Sequence, residues 1–346
     1  MRNLVSIQEI KDIQPIENAD RIVCATILGW KIVIKKDEFK VGDKCVYFEV
    51  DSYLPIEDKY EFLRSSSFKR HEILGEGFRI KTQCLRGQIS QGLVLKLSDV
   101  GLDENLEVGT DVTELLNVKK WEPLEKISNF GKLKEGLPDG VSETDETRIQ
   151  SIYESIIPEF ENKKYYISTK IDGTSFTVYM KNGKFGVCSH TNEYIEDDTV
   201  PSSLWDFVRK HKIEEKIRNA NIDNIVIQGE LAGPGIQKNH LKLINLEWFV
   251  FSIKDLTTNK RIGLYEMLDI CKTLELKTVP IEEIGDNLIK TYPTLDSLLE
   301  RAKGKYDCGT KKEGIVIRPI EPCYSITING PLSFKVLNND FLLKED

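Results

Sequence analysis

Several things are missing from this sequence, and each omission narrows what it can be. No run of about 18 apolar residues occurs, so nothing in the chain reads as a membrane-spanning helix. The seven cysteines (Cys24, Cys45, Cys84, Cys188, Cys271, Cys308 and Cys323) stand singly, and no two form a C-x-x-C pair. An odd, scattered set of this kind argues against a disulfide framework or a structural zinc, and for an intracellular, reducing compartment. Excess positive charge is missing too: 48 Lys and Arg against 56 Asp and Glu give a net charge of −8. A protein that coats nucleic acid non-specifically needs the opposite sign. A local basic groove is still compatible with that balance. The N-terminal stretch MRNLVSIQEIKDIQ has acidic residues and no cleavable apolar segment, so no signal peptide is expected. Internal repeats and low-complexity segments are absent as well.

What is present is enough chain for two domains, since 346 residues exceed what one core usually holds. Residues 1–117 read as short strands separated by glycine-centred turns. RIVCATILGWKIVIKK holds two apolar runs joined at Gly29, and VGDKCVYFEV is a turn feeding a strand. GFRIKTQCLRGQISQGLVLKL adds strands around Gly87 and Gly92. The pattern suggests a small antiparallel barrel or sandwich, with an OB-like barrel one candidate among several. In DVTELLNV, Asp111 as cap and Glu114 in the reciprocal position predict a short helix. Residues 118–140 lose periodicity and gain Lys, Pro and Gly, as a linker does. Residues 141–346 mix both element types: helices around Ile149–Ile156, from Ser202 or Ser203 through IEEKIRN, over LYEMLDICKTLEL and over TLDSLLERAKG, and a hairpin turning at Asn182-Gly183. The fold class is α+β, with antiparallel sheets and flanking helices.

The chemistry concentrates around YYISTKIDGTS, Tyr165–Ser175. Lys170 ends a strand, and Asp172 points to the same side two residues on. An amine attacks only when neutral, so Lys170 needs burial or a nearby cation to discharge it. Asp172 could hold such a cation. Gly173 permits close approach to the backbone. Four further strand ends carry matching groups: Glu230 in GEL, Phe249 and Phe251 in WFVFSI, Glu313 in KEGIVI and Lys335 in SFKVLN. Taken singly, each has a plain structural reading as a surface turn, core packing or a solvated side chain. Together they supply what a nucleotide site needs: a ring for the base, a carboxylate for ribose, carboxylates for Mg²⁺ or Mn²⁺, and lysines for phosphate.

Their order, K-x-D-G, G-E-L, F-x-F, E-G-I-V-I and F-K-V, resembles the covalent nucleotidyltransferase superfamily of ATP-dependent ligases and mRNA capping enzymes, over residues 141 to 340. GELAGPG resembles the RNA ligases that seal nicks. The resemblance implies that Lys170 takes AMP through a phosphoramide bond. It makes Asp172 a carboxylate near the metal and the reacting 3′ end, and Glu230 the ribose ligand. Phe251, before Phe249, becomes the ring under adenine, Glu313 the metal-organising glutamate, and Lys335 a contact of the α-phosphate. Gly173, Arg148 and Asn192 join the nucleotide set. Leu337 stands where many relatives carry a second lysine, so Arg148, Lys311, Lys312 or Arg318 must offset triphosphate charge in its place. His190 stands where relatives have arginine.

Only eleven residues follow Lys335. The C-terminal OB domain of DNA ligases and capping enzymes therefore has no place here, and the N-terminal β-rich module matches RNA ligases with an N-terminal OB domain. The expected activity is ATP-dependent joining of 3′-hydroxyl and 5′-phosphate RNA ends through a lysyl-AMP and an adenylylated 5′ end, on a nicked duplex or bridged ends, by a monomer. Two alternatives are a capping-type guanylyltransferase, which would take GTP, and a non-catalytic RNA-binding protein, which would transfer nothing.

Overall fold

The computed structural model describes residues 3–122, 130–134 and 136–345. The chain divides into two compact units. One comprises Met1–Glu125 with Ile149–Tyr153 and Leu342–Asp346, and the other Lys126–Arg148 with Glu154–Phe341. Two short segments from beyond residue 141 thus group with the N-terminal unit. Among the described residues no helix is long and apolar enough to cross a membrane.

Strict alternation builds the first unit. In Trp30–Lys35 the side chains of Trp30, Ile32 and Ile34 are buried, and those between them are not. The strand Lys44–Phe48 is buried on both faces. Cys45 and Tyr47 enter a cluster with Ile10, Ile27, Trp30 and Ile32. Val46 and Phe48 enter another with Val5, Ile7, Leu54, Tyr60 and Phe78. Each such side chain contributes about 1.5–3 kcal/mol by leaving water. Val5–Glu9, Lys44–Phe48 and Leu93–Leu95 form one antiparallel sheet, and Asp12–Pro15, Ile22–Ile27 and Trp30–Lys35 another. The segment Ile149–Tyr153 is fastened by Ser151, whose hydroxyl donates to Glu49 Oε1 at 2.7 Å and accepts from Trp30 Nε1 at 3.2 Å. The helix expected from Asp111 does not form. The Asp111 carboxylate accepts from Thr113 N–H at 2.9 Å, closing an Asx turn, and Asn117 is left-handed at φ 50°. The cap is present, but no helix extends from it.

The second unit rests on two antiparallel sheets. Among the described residues the smaller runs Ile281–Gly285, Tyr165–Lys170, Gly314–Pro319, Phe334–Leu337. The larger is centred on Thr174–Lys181, Ile225–Ala232 and Glu247–Asp255. Thr174–Lys181 and Lys184–Cys188 turn at Asn182 and Gly183, both left-handed (φ 51° and 75°), as Asn-Gly hairpins require. The helix capped by Ser202 ends at His211. Lys212 is left-handed (φ 53°), and a second helix, Ile213–Asn219, begins there. One expected helix is therefore two, each burying its own apolar residues: Trp205 and Phe207 from the first, Ile213 and Ile217 from the second. Of the expected linker, residues 123–129 and 135 lie outside the described residues. Its flanks pair as edge strands, Lys119–Lys120 with Ser52–Leu54 and Lys132–Lys134 with Glu193–Ile195.

Candidate active site

The chain crosses between the two sheets of the second unit in three residues. Lys170 is the last residue of its strand in the smaller sheet, and Thr174 is the first of the next strand in the larger one. In the smaller sheet Lys170 is in register with Gly314, which brings Glu313 beside it. In the larger sheet Ser175 is in register with Glu230, and Glu230 with Phe249. Strand pairing alone therefore gathers residues far apart in sequence at one junction. Gly173 serves this crossing. A Cβ there would lie 2.4 Å from the Leu231 carbonyl oxygen and 2.9 Å from Glu230 Cγ. The close approach for which a glycine was expected is made by the neighbouring strand.

Lys170 Nζ donates to Glu313 Oε2 at 2.7 Å, and both side chains are largely buried. Burial alone would discharge the amine. The negative charges of Glu313, Glu230 and Asp172 outweigh it and hold the ammonium above its ordinary range. The neutral amine anticipated from sequence is thus not the resting state: without a competing cation Lys170 is a charged partner of Glu313. Burial and then the Glu313 charge push the Asp172 carboxyl up, while His240 and Lys170 pull it down.

The remaining candidates separate on geometry. Phe249 and Phe251 pack with Ile171, Ala232, Val279 and Tyr306 beside the junction. Phe251 is backed by Arg318, whose guanidinium centre lies 5.6 Å from the ring centroid and whose Nη1 donates to the Phe251 carbonyl at 2.7 Å. Arg318 Nη2 donates to Glu146 at 2.7 Å. Lys312 Nζ donates to both Glu282 oxygens, at 2.6 and 2.7 Å. Arg318 and Lys312 are therefore committed to buried ion pairs and are poor candidates for phosphate charge. Lys311 lies 3.2 Å from Asp340 at the surface. Arg148 is buried and bridges Lys335 through the backbone, so these two cations are neighbours, and Lys335 Nζ is 3.6 Å from Asp145. The Asn192 amide is engaged elsewhere, accepting from Gly136 N–H at 3.1 Å and donating to Thr191. His190 comes nearer the junction: its Nδ1 is 3.2 Å from Thr144 Oγ1, and that hydroxyl donates to Ser175 at 2.9 Å.

The junction also holds residues that escaped the sequence reading, His240 among them. His240 Nδ1 is 2.6 Å from Asp172 Oδ2, and its ring packs edge-on against Phe341. A second group supports the site from behind. Glu282 accepts from Thr169 Oγ1 at 2.7 Å, from Lys312, and from Arg301 at 2.6 Å. It thereby ties the residues preceding Lys170 and Glu313 together.

Comparison with known proteins agrees with this architecture. An OB-fold domain model matches residues 4–97, and an RNA ligase model matches residues 163–337. Among solved structures, the RNA ligase of Naegleria gruberi with pyrophosphate is 34% identical, with 99% of each chain covered and a TM-score of 0.87. A mutant of that ligase with AMP and manganese is 34% identical over 99% of each chain, with a TM-score of 0.88. Another, with ATP and manganese, is 33% identical over 99% of this chain and 98% of the other, with a TM-score of 0.86. No curated protein sequence matches. An N-terminal OB fold followed by a sheet-rich α+β domain with flanking helices is the class this molecule belongs to. Within it, the chain is a member of the RNA ligase family.

Proposed function

We propose that this RNA ligase uses a divalent cation and consumes ATP to seal nicks or bridged ends in duplex RNA, through an adenylate on Lys170. The observation that carries the reading is the Lys170–Glu313 contact at 2.7 Å, within the field of Glu230 and Asp172.

The donor set suits Mg²⁺ or Mn²⁺. It is all carboxylate, the side chains of Glu313 and Asp172. Hard divalent ions of this kind bind through one or two carboxylates and keep water and phosphate as their other ligands. Glu313 and Asp172 would hold the ion, which when bound supplies the positive charge that favours a neutral amine and offsets phosphate charge. Lys170 Nζ attacks the α-phosphorus of ATP, forming an N–P bond as the P–O bond to pyrophosphate breaks. Phe251 stacks on adenine and Glu230 accepts from the ribose. Gly173 lets the Glu230 strand come close enough to do so, and Arg148 with Lys335 faces the phosphates. AMP then passes to the RNA 5′-phosphate, and the 3′-hydroxyl of the adjoining end displaces it, with Asp172 beside that end. A duplex holds both ends in reach. The N-terminal unit grips duplex phosphates and 2′-hydroxyls. The seven cysteines are free thiols, in keeping with a reducing compartment.

The test is covalent labelling. Wild-type protein incubated with α-³²P-ATP and Mg²⁺, then denatured, is expected to retain label and to seal a nicked RNA duplex. Lys170→Met is expected to retain none. Label from GTP instead of ATP would move the protein to the capping enzymes. No label from either would make it an RNA-binding protein.

A further inference from the structure

One side chain outside the predicted set touches both halves of the junction. Tyr306 lies on the tight turn that precedes Glu313. That turn is closed by hydrogen bonds from Lys312 N–H to the Gly304 carbonyl at 3.1 Å and from Tyr306 N–H to the Thr310 carbonyl at 2.9 Å. Its ring is buried against Ile171, Ala232 and Val279. Its hydroxyl donates to the Lys170 carbonyl oxygen at 2.9 Å and accepts from the N–H of Asp172 and from the N–H of Glu313, each at 3.1 Å. A phenol has one proton and two acceptor lone pairs, and all three are used here. The last rung between these strands joins Lys170 to Gly314. Beyond it the two backbones part, and the Tyr306 oxygen stands between them where a further rung would be.

We propose that Tyr306 is a positioning residue for nucleotide transfer: its hydroxyl locks the backbones of Lys170, Asp172 and Glu313 into one unit, so that the amine and the two metal-binding carboxylates keep a fixed separation. The inference rests on the reading of Lys170 as the adenylate acceptor. Strand pairing cannot do this alone, because Asp172 lies beyond the last rung and must still face Glu313. Thr310, on the same turn, donates to the His240 carbonyl oxygen at 2.5 Å, and His240 holds Asp172. Backbone and carboxylate of Asp172 are thus set from one turn, which gives the turn a role in the site beyond packing. In-line attack tolerates little displacement, and an error of about 1 Å in placement costs up to about a hundredfold in rate.

Tyr306→Phe keeps the ring and removes only the oxygen. Single-turnover formation of the lysyl adenylate is expected to slow about 10- to 100-fold. The ATP concentration for half-saturation should stay within about twofold, while the Mg²⁺ or Mn²⁺ concentration for half-maximal rate rises. Ile217→Ala, in the same unit and fully buried on the helix Ile213–Asn219, which carries none of the site residues, serves as the stability control. Its rate per folded molecule should be that of wild type. A Tyr306→Phe protein with wild-type rate and metal dependence overturns the inference, as does a loss that only tracks the unfolded fraction, as in the control. If wild type itself takes no label from ATP, the parent reading falls and this inference falls with it. Label on wild type with an unaffected Tyr306→Phe sinks the inference alone.

Discussion

At the scale of single residues, the Lys170–Glu313 pair works in both directions. Glu313 holds the amine charged in the ligand-free protein and would release it when a divalent ion takes the carboxylate. Glu313→Gln frees Lys170 of its partner yet removes the proposed metal ligand. Adenylation should therefore fall at least about a hundredfold, since the losses of one catalytic electrostatic group run at that level. Excess Mn²⁺ should restore part of the rate, and near-normal single-turnover labelling would refute the assignment. His240 acts one step further along, at the Asp172 carboxylate. His240→Ala lets that carboxylate swing, so sealing of a pre-adenylylated nick should slow about tenfold and more than adenylation does. Equal losses in the two steps would assign His240 to packing. Lys170, Glu230 and Glu313 could be singled out from sequence because each stands at or near a strand end within three residues of a glycine. His240 and Tyr306 could not. Their partners lie 68 and 136 residues away, and neither residue carries a local signal of what it will meet.

At the scale of elements, the site depends on strands that end or cross at particular residues. Gly314 begins its strand at φ 155°, and a Cβ there would lie 2.2 Å from the Val336 carbonyl oxygen. Neither that backbone conformation nor that contact admits a side chain cheaply. Gly314→Ala should destabilise by about 2 kcal/mol or more, measured as a lower urea midpoint at unchanged slope. A midpoint equal to wild type would show that the strand can shift to accommodate it. Element types were legible wherever periodicity was strong, as in Trp30–Lys35 or the Asn182-Gly183 hairpin. They failed where one backbone position decides. Lys212 at φ 53° splits a segment whose apolar spacing reads as continuous helix. Asp111 caps a turn that Asn117, at φ 50°, ends at once. Lysine and a mid-segment asparagine do not announce left-handed conformations as glycine does.

At the scale of the whole molecule, the two units carry their charge differently. In the second unit Glu146, Glu282 and Glu283 would be pushed up by burial, but cations and hydroxyls outweigh it and hold all three below their ordinary range. Arg318, Arg261 and Ser333 serve Glu146; Lys312, Arg301 and Thr169 serve Glu282; Tyr165, Tyr292 and Arg301 serve Glu283. In the first unit Glu61 is held low, and it stands at the surface, half-exposed, in an ion pair with Arg64. A folded-state value below the unfolded one means that the unfolded chain binds protons more tightly. The stabilisation is then complete above the unfolded carboxyl value of about 4.3 and is lost as pH falls through the depressed values. Acid should therefore unfold the nucleotide-transfer unit before the N-terminal one. Hydrogen exchange at descending pH should show protection lost first in the Tyr165–Lys170 and Gly314–Pro319 strands while Lys44–Phe48 stays protected. Glu282→Gln should cost about 3–5 kcal/mol near neutrality, because it leaves the buried Lys312 ammonium without its partner. The same change should flatten the acid limb, since the group that titrates there is gone. A variant whose stability falls equally at pH 7 and at an acid pH well below the depressed carboxyl range would mean that the carboxyl contributes through packing rather than charge.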